Sequence, residues 1–192
     1  AHCLTADGKT IYFTACYRND SYGGCDIYVS TLTPTGWSRP TNLGENINSA
    51  HWETQPSISF DGQHLYFVSN RPGGFGGSDI WVSSRQPNGE WAKPENMGPY
   101  INSRKDEMSP FIHHDDQTLY FASEGMAGMG GMDIYLSKRM ADGEFGPARN
   151  LGYPINTEKN ESSLFVNMAG NLALFSAEGA DTRGKLDIYY FE

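Results

Sequence analysis

The sequence predicts an all-β fold: a β-propeller of four blades of about 54 residues, each of four antiparallel strands, the last without its outer strand. Three observations predict it. The segments Asp7–Phe13, Asp61–Phe67 and Asp115–Phe121 begin 54 residues apart, and Ala169–Phe175 follows after 54 more. Asp26-Ile-Tyr28, Asp79-Ile-Trp81, Asp133-Ile-Tyr135 and Asp187-Ile-Tyr189 recur at 53, 54 and 54. Trp37, Trp91 and Phe145, with Ile47-Asn-Ser49, Ile101-Asn-Ser103 and Ile155-Asn-Thr157, keep the same period, as do Glu53, Glu107 and Glu161. A single small sheet cannot bury its own faces, so stacked repeats must bury them against one another.

One unit reads as follows. Gln55 to Phe60 is a short extended run. Asp61-Gly62 is a turn signal. His64 to Ser69 alternates and is rich in β-formers. Asn70 to Gly77 is a glycine-rich hairpin loop, and Asp79 to Ser84 is a second β-rich run. Asn88-Gly89 turns the chain, and Trp91-Ala-Lys-Pro94 begins the outer strand, at an edge because proline cannot donate to a ladder. Leu43-Gly44, Met97-Gly98 and Leu151-Gly152 lead through the Ile-Asn connector to the next unit. No window carries a long 3.6-residue apolar period, so helices should be scarce. The blades span about residues 1–49, 50–103, 104–157 and 158–192, in a single domain. The chain reads as a fragment of a longer propeller or as an arc whose open edge another chain covers, with a closed four-blade ring as the competing arrangement.

Composition narrows the function. The 192 residues carry a formal net charge of −9. That surface repels phosphate backbones and anionic lipid, which argues against nucleic-acid partners. No apolar run approaches the roughly 20 residues of a transmembrane helix, so no membrane insertion is expected. Cys3, Cys16 and Cys25 lack a zinc pattern. Cys16 and Cys25 flank a glycine-containing loop and could face each other across a hairpin; joined, they imply an oxidising compartment. The alternative is two separate thiols.

The phrase Asp61-Gly-Gln-His-Leu-Tyr-Phe-Val-Ser-Asn-Arg71, followed by Gly76-Gly-Ser-Asp-Ile-Trp81, resembles the WD40-like PD40 repeat of TolB-type propellers. The resemblance covers all four units. The long form, with its Gly-Gly-x-Gly-Gly loop and Ile-Asn-Ser connector, is most similar to propellers in Bacteroidetes envelope proteins of the OmpA-like and type IX secretion groups. The resemblance implies a periplasmic, outer-membrane-associated scaffold that binds another envelope protein. Peptidoglycan binding would belong to flanking domains absent here. The fourth unit departs from the pattern: Ala169 replaces the aspartate, and Arg183-Gly-Lys replaces the glycine-rich loop.

Residues repeated in every blade are poor catalytic candidates, because catalysis needs a unique constellation. Asp26, Asp79, Asp133 and Asp187 read as acceptors for blade-turn amides rather than calcium ligands. Glu53, Glu107 and Glu161 read as inter-blade hydrogen-bond partners rather than acid/base pairs. His113-His114-Asp115-Asp116 could suggest a metal, but neighbours on a strand point to opposite faces. Met126, Met129 and Met132 could suggest a soft copper site, yet Met129 falls where Tyr22 and Phe75 stand in the other units. Neither a metal nor another cofactor is expected. Nucleophile elbow, phosphate loop and zinc-protease motifs are missing, so the expectation is a non-enzyme. The best site candidate is a shared apolar patch of the loop tips Tyr22, Phe75 and Met129. A carbohydrate-binding or carbohydrate-acting propeller is the alternative, since Trp37, Trp52, Trp81 and Trp91 could stack on sugars.

Overall fold

The computed structural model describes residues 1–179 and 185–192, all of them in strands, turns and loops. The first sheet holds β1 (His2–Leu4), β2 (Thr10–Cys16) and β3 (Cys25–Thr33), with the short β4 (Gly36–Trp37) and β5 (Thr41–Asn42) both paired to β3. The second runs β6 (Glu53–Ile58), β7 (His64–Ser69), β8 (Asp79–Ser84) and β9 (Glu95–Asn96). The third repeats this with β10 (Glu107–Ile112), β11 (Thr118–Ser123), β12 (Asp133–Lys138) and β13 (Arg149–Asn150). The fourth has β14 (Glu161–Val166), β15 (Ala173–Ala177) and β16 (Asp187–Phe191). Every pair within these sheets is antiparallel. The innermost strands β6, β10 and β14 and the end of β1 line one central cavity, so the sheets are the blades of a four-blade β-propeller. Part of the fourth unit's divergent 183–185 segment lies outside the described residues.

The outer strand lies further along the chain than the Trp91–Pro94 segment expected for its start. Trp91 makes only an isolated bridge to Arg85, and the strand lies beyond Pro94, at Glu95–Asn96. Pro94 cannot donate to the ladder, so pairing begins only after it. The Asp-Gly turns of the first two units and the Ala169-Gly170 turn of the fourth place Gly8, Gly62 and Gly170 at φ of 67–70°. The third unit puts Asp116 there at φ 53°, and aspartate is among the few residues that tolerate it. Each inner strand from the second sheet on carries a register shift with a non-glycine residue at positive φ: Gln55, Ser109 and Ser163.

Three apolar clusters lie between successive sheets. One joins Tyr12 and Ile27 to Ile47, Ile58, Phe67 and Trp91. The next joins Tyr66 and Ile80 to Ile101, Ile112 and Phe145, and the last centres on Ile134, Leu164 and Phe175. Polar groups seal the first two seams in identical fashion. Arg85 donates to the Tyr12 hydroxyl at 2.9 Å and lies over Trp91; Arg139 donates to the Tyr66 hydroxyl at 2.9 Å and lies over Phe145. Among the described residues the first sheet's strands touch only the second sheet's, and the fourth's only the third's. Trp37, equivalent to Trp91, therefore has no tyrosine before it and is 49% exposed.

A disulfide joins Cys16 and Cys25, directly opposed in the β2–β3 hairpin and nine residues apart. Loop-closure entropy assigns such a bridge about 2–3 kcal/mol. Replacing both cysteines with serine should lower unfolding free energy by that amount in urea titration, with binding untouched. Cys3 is unpaired, and burial pushes its thiol up to about 12.

Candidate functional site

The loop tips are built the same way three times. The aspartate opening each third strand reaches back into its own loop. Asp26 accepts from the Tyr22 and Gly23 amides at 2.7 and 3.1 Å. Asp79 accepts from Phe75 and Gly76 at 2.5 and 3.1 Å, and Asp133 from Met129 and Gly130 at 2.7 and 3.2 Å. The loop then crosses the connector to the next blade. A Cβ at Gly76 would lie 2.0 Å from the Lys105 carbonyl, and one at Gly130 would lie 2.2 Å from that of Lys159, so only glycine fits. Gly77 and Gly131 donate to those same carbonyls at 3.0 and 2.8 Å. The apolar tips are thus held on a fixed backbone, yet Tyr22, Phe75 and Met129 remain 49%, 50% and 49% exposed. They stand at equivalent places on successive blades, each before the aspartate that holds its loop.

The repeated glutamates are sealed. Glu53 accepts from the Ser49 amide and hydroxyl and the Ser69 hydroxyl, each at 2.7 Å. Glu107 accepts from the Ser103 amide at 2.8 Å and the Ser123 hydroxyl at 2.6 Å; Glu161 accepts from Thr157. All three are fully buried. Burial pushes the Glu107 carboxyl up, against the hydrogen bonds that lower it. Groups without solvent contact tie a connector to a strand and cannot reach a substrate.

His113 and His114 do converge, contrary to the strand-alternation argument, because they lie past the end of β10. Their ring nitrogens approach to 3.1 Å, and His113 also contacts the Asn167 carbonyl at 3.1 Å. Asp116 accepts the Phe60 and Asp61 amides of the preceding blade. Desolvation raises the Asp115 carboxyl, but the Thr118 hydroxyl and the Gln117 and Thr118 amides outweigh it and hold the group near 2. The segment fastens three blades together. Among the described residues no set of three or more His, Cys, Asp or Glu could hold a metal. Of the methionines, Met126 packs on the second core while Met129 sits at the tip.

Two features were not evident in the sequence. Arg71 pairs with Glu53 at 3.1 Å, is bonded to the Ile47 carbonyl and stacks over Phe67 and Trp81; its counterpart Arg18 lies over Tyr28 in the first blade, where no glutamate faces it. The axial cavity, about 150 Å³, is lined by Leu4, Phe60, Phe111, His114, Phe165 and Met168. Its signal was the 54-residue spacing of positions 60, 114 and 168, and of 111 and 165.

No family model matches the chain, and no curated protein matches it. Solved structures share its fold. TolB from Acinetobacter baumannii superposes with a TM-score of 0.65 at 16% identity, over 98% of this chain and 40% of that one. The putative TolB from Agrobacterium tumefaciens gives 0.65 at 15% identity, over 98% and 59%. The α-L-arabinofuranosidase from Lactobacillus brevis gives 0.61 at 12%, over 97% and 70%. The chain thus spans about two fifths and three fifths of the two TolB-type structures. At these identities the likeness defines the class of fold, a TolB-like propeller.

Proposed function

We propose that the chain is a non-catalytic protein-interaction module of the bacterial cell envelope, periplasmic and outer-membrane-associated, which binds another envelope protein through Tyr22, Phe75 and Met129. One observation carries this reading. The repeat places an apolar side chain at an exposed tip three times, on a backbone immobilised by an aspartate and by glycine contacts with the next connector. A rigid aromatic or methionine anchor loses little entropy on binding. The Cys16–Cys25 disulfide supports an oxidising compartment, and the fold likeness to TolB supports the periplasm. Peptidoglycan contact would belong to other domains.

The test is capture from detergent-solubilised envelope by the wild-type chain and by Tyr22→Ala/Phe75→Ala/Met129→Ala. The triple variant should keep its melting temperature within about 3 °C, since surface changes cost little. It should lose a reproducible envelope partner. Equal capture by both proteins would sink the surface.

A second reading, carbohydrate binding, draws on Trp37 and Trp52, which are 49% and 56% exposed. Trp81 and Trp91 are buried and cannot stack on a sugar. Retention on a cell-wall or plant glycan that Trp52→Ala abolishes would favour it.

A further inference from the structure

The third blade departs from the second at one place beside the connector that enters it. Pro99 and Tyr100 stand where the preceding connector has Glu45 and Asn46. Pro147 stands where the second blade has Lys93, and Tyr135 takes the place of Trp81. These four residues meet in a recess of about 320 Å³, which Met126 and Asn150 also line. Charged and polar positions of the earlier unit are thus apolar around one recess, and the Tyr100 ring is 52% exposed.

Three buried polar atoms cluster at this recess, and among the described residues none bonds them: the Tyr135 hydroxyl, Asn150 Nδ2 and Asp133 Oδ1. The other blades pair their counterparts. Asn42 Nδ2 donates to Asp26 at 2.7 Å, and Asn96 Nδ2 donates to Asp79 at 2.8 Å. The Tyr28 hydroxyl donates to Asp20 at 2.9 Å and meets the Ser21 hydroxyl at 3.1 Å. In the third blade Ala127-Gly128 replaces Asp20-Ser21, and both loop amides fall on Asp133 Oδ2. Asn150 is not free to turn, because its Oδ1 accepts from the Gly152 amide at 2.7 Å and from Asn156 Nδ2 at 2.8 Å. A Cβ on Gly128 would lie 1.7 Å from Asp133 Oδ2 and 2.8 Å from the Tyr135 hydroxyl, so those two groups are neighbours. The Asn150 amide lies beside the same hydroxyl without hydrogen-bond geometry to it. Asp133 and Tyr135 are 1% and 2% exposed, and buried polar groups are ordinarily paired.

The unmet set decides the ligand. A carboxylate oxygen needs a donor, and an amide nitrogen needs an acceptor. An anion would face Asp133 on a chain of net charge −9. A cation offers nothing to Asn150 Nδ2, and an apolar group satisfies none of the three. A trans peptide group carries its N–H and C=O on opposite sides. A hydroxyl gives and takes at one atom. We propose that this recess is a saccharide-binding site. One sugar hydroxyl bridges Asp133 Oδ1, Asn150 Nδ2 and the Tyr135 hydroxyl, and the C–H face of the ring lies on Tyr100 between Pro99 and Pro147. Met126, unbranched and adaptable, is the part of the wall that yields to admit it. The site shares no residue with the loop tips or with Trp52.

The test is titration of the intact 192-residue chain with glucose, galactose and N-acetylglucosamine, read from the NMR signals of the Asn150 side-chain amide. At least one sugar should shift them saturably, with a millimolar Kd. Tyr135→Phe removes only the hydroxyl, and Tyr100→Ala removes only an exposed ring. Each should weaken binding by roughly tenfold or more. Both should melt within about 3 °C of wild type. Trp52→Ala should bind as wild type does. No saturable shift with any of the three sugars overturns the site and leaves an ordered water as the partner of the three atoms. Equal binding by Tyr135→Phe, or binding that Trp52→Ala abolishes, also overturns it, because the sugar then sits elsewhere. Failure of the loop-tip surface would leave this result unchanged, so the two fail separately.

Discussion

Arg71→Met should lower unfolding free energy by about 3–5 kcal/mol, the cost of stranding a buried carboxylate without its cation. Glu53 is fully buried, and Arg71 lies 3.1 Å from it with only 13% of its side chain exposed. Burial pulls the guanidinium below its usual range while Glu53 pulls it back. The same change removes the cap over Phe67 and Trp81 and the bond to the Ile47 carbonyl. For a chain of this size the melting temperature should drop by about 6–20 °C. Adding Glu53→Gln should recover part of the loss, because a neutral amide needs no cation. A single variant that melts within 2 °C of wild type would show that water already reaches Glu53. The third blade supplies an internal control. Glu107 has Gly125 where Arg71 stands, and a side chain there would collide with Ser103, whose hydroxyl lies 2.0 Å from the position of a Cβ. Burial pushes the Glu107 carboxyl up.

Asn102→Ala should cost about 1–3 kcal/mol, from the buried Ile80 amide left without a partner, while the Ile80 carbonyl keeps the Met97 amide at 3.2 Å. Asn102 is 2% exposed and bonds both polar groups of Ile80, and its Nδ2 also donates to Asn96 Oδ1 at 2.9 Å. Asn102→Asp keeps the acceptor for the Ile80 amide but loses both donations, so it should fall at least as far near neutral pH. Urea titration with hydrogen exchange would localise the effect. The Ile80 amide should exchange faster, while the Ile27 amide, clamped by Asn48, should keep its protection. Uniform loss of protection across both would mean that the seams unfold as one unit.

The repeat was legible because sheet burial forces the same residue types to recur at the same spacing. His64–Ser69 and Asp79–Ser84 match their β-rich runs residue for residue. Glu95–Asn96 was missed because a two-residue strand carries no alternation, and Trp91 drew attention as the marker although it serves as a seam residue. At the site, the loop aspartates accept the amides that periodicity pointed to. The Ile-Asn-Ser marker was visible, but its clamp was not, since a carboxamide bonding a strand 22 residues earlier leaves no local pattern. Arg71 stands in the repeat phrase, but its pairing with Glu53 joins residues 18 apart across two strands and leaves no local pattern.

The clamps also set an order in time. A blade's third strand is secured by an asparagine 21 or 22 residues further along the chain. During synthesis at roughly 5–20 residues per second, each new strand emerges about 1–4 s before the residue that fastens it. During that interval a nascent chain carries one third strand whose outer edge is not yet clamped, and a ribosome-bound intermediate would be receptive to foreign strands at that one position.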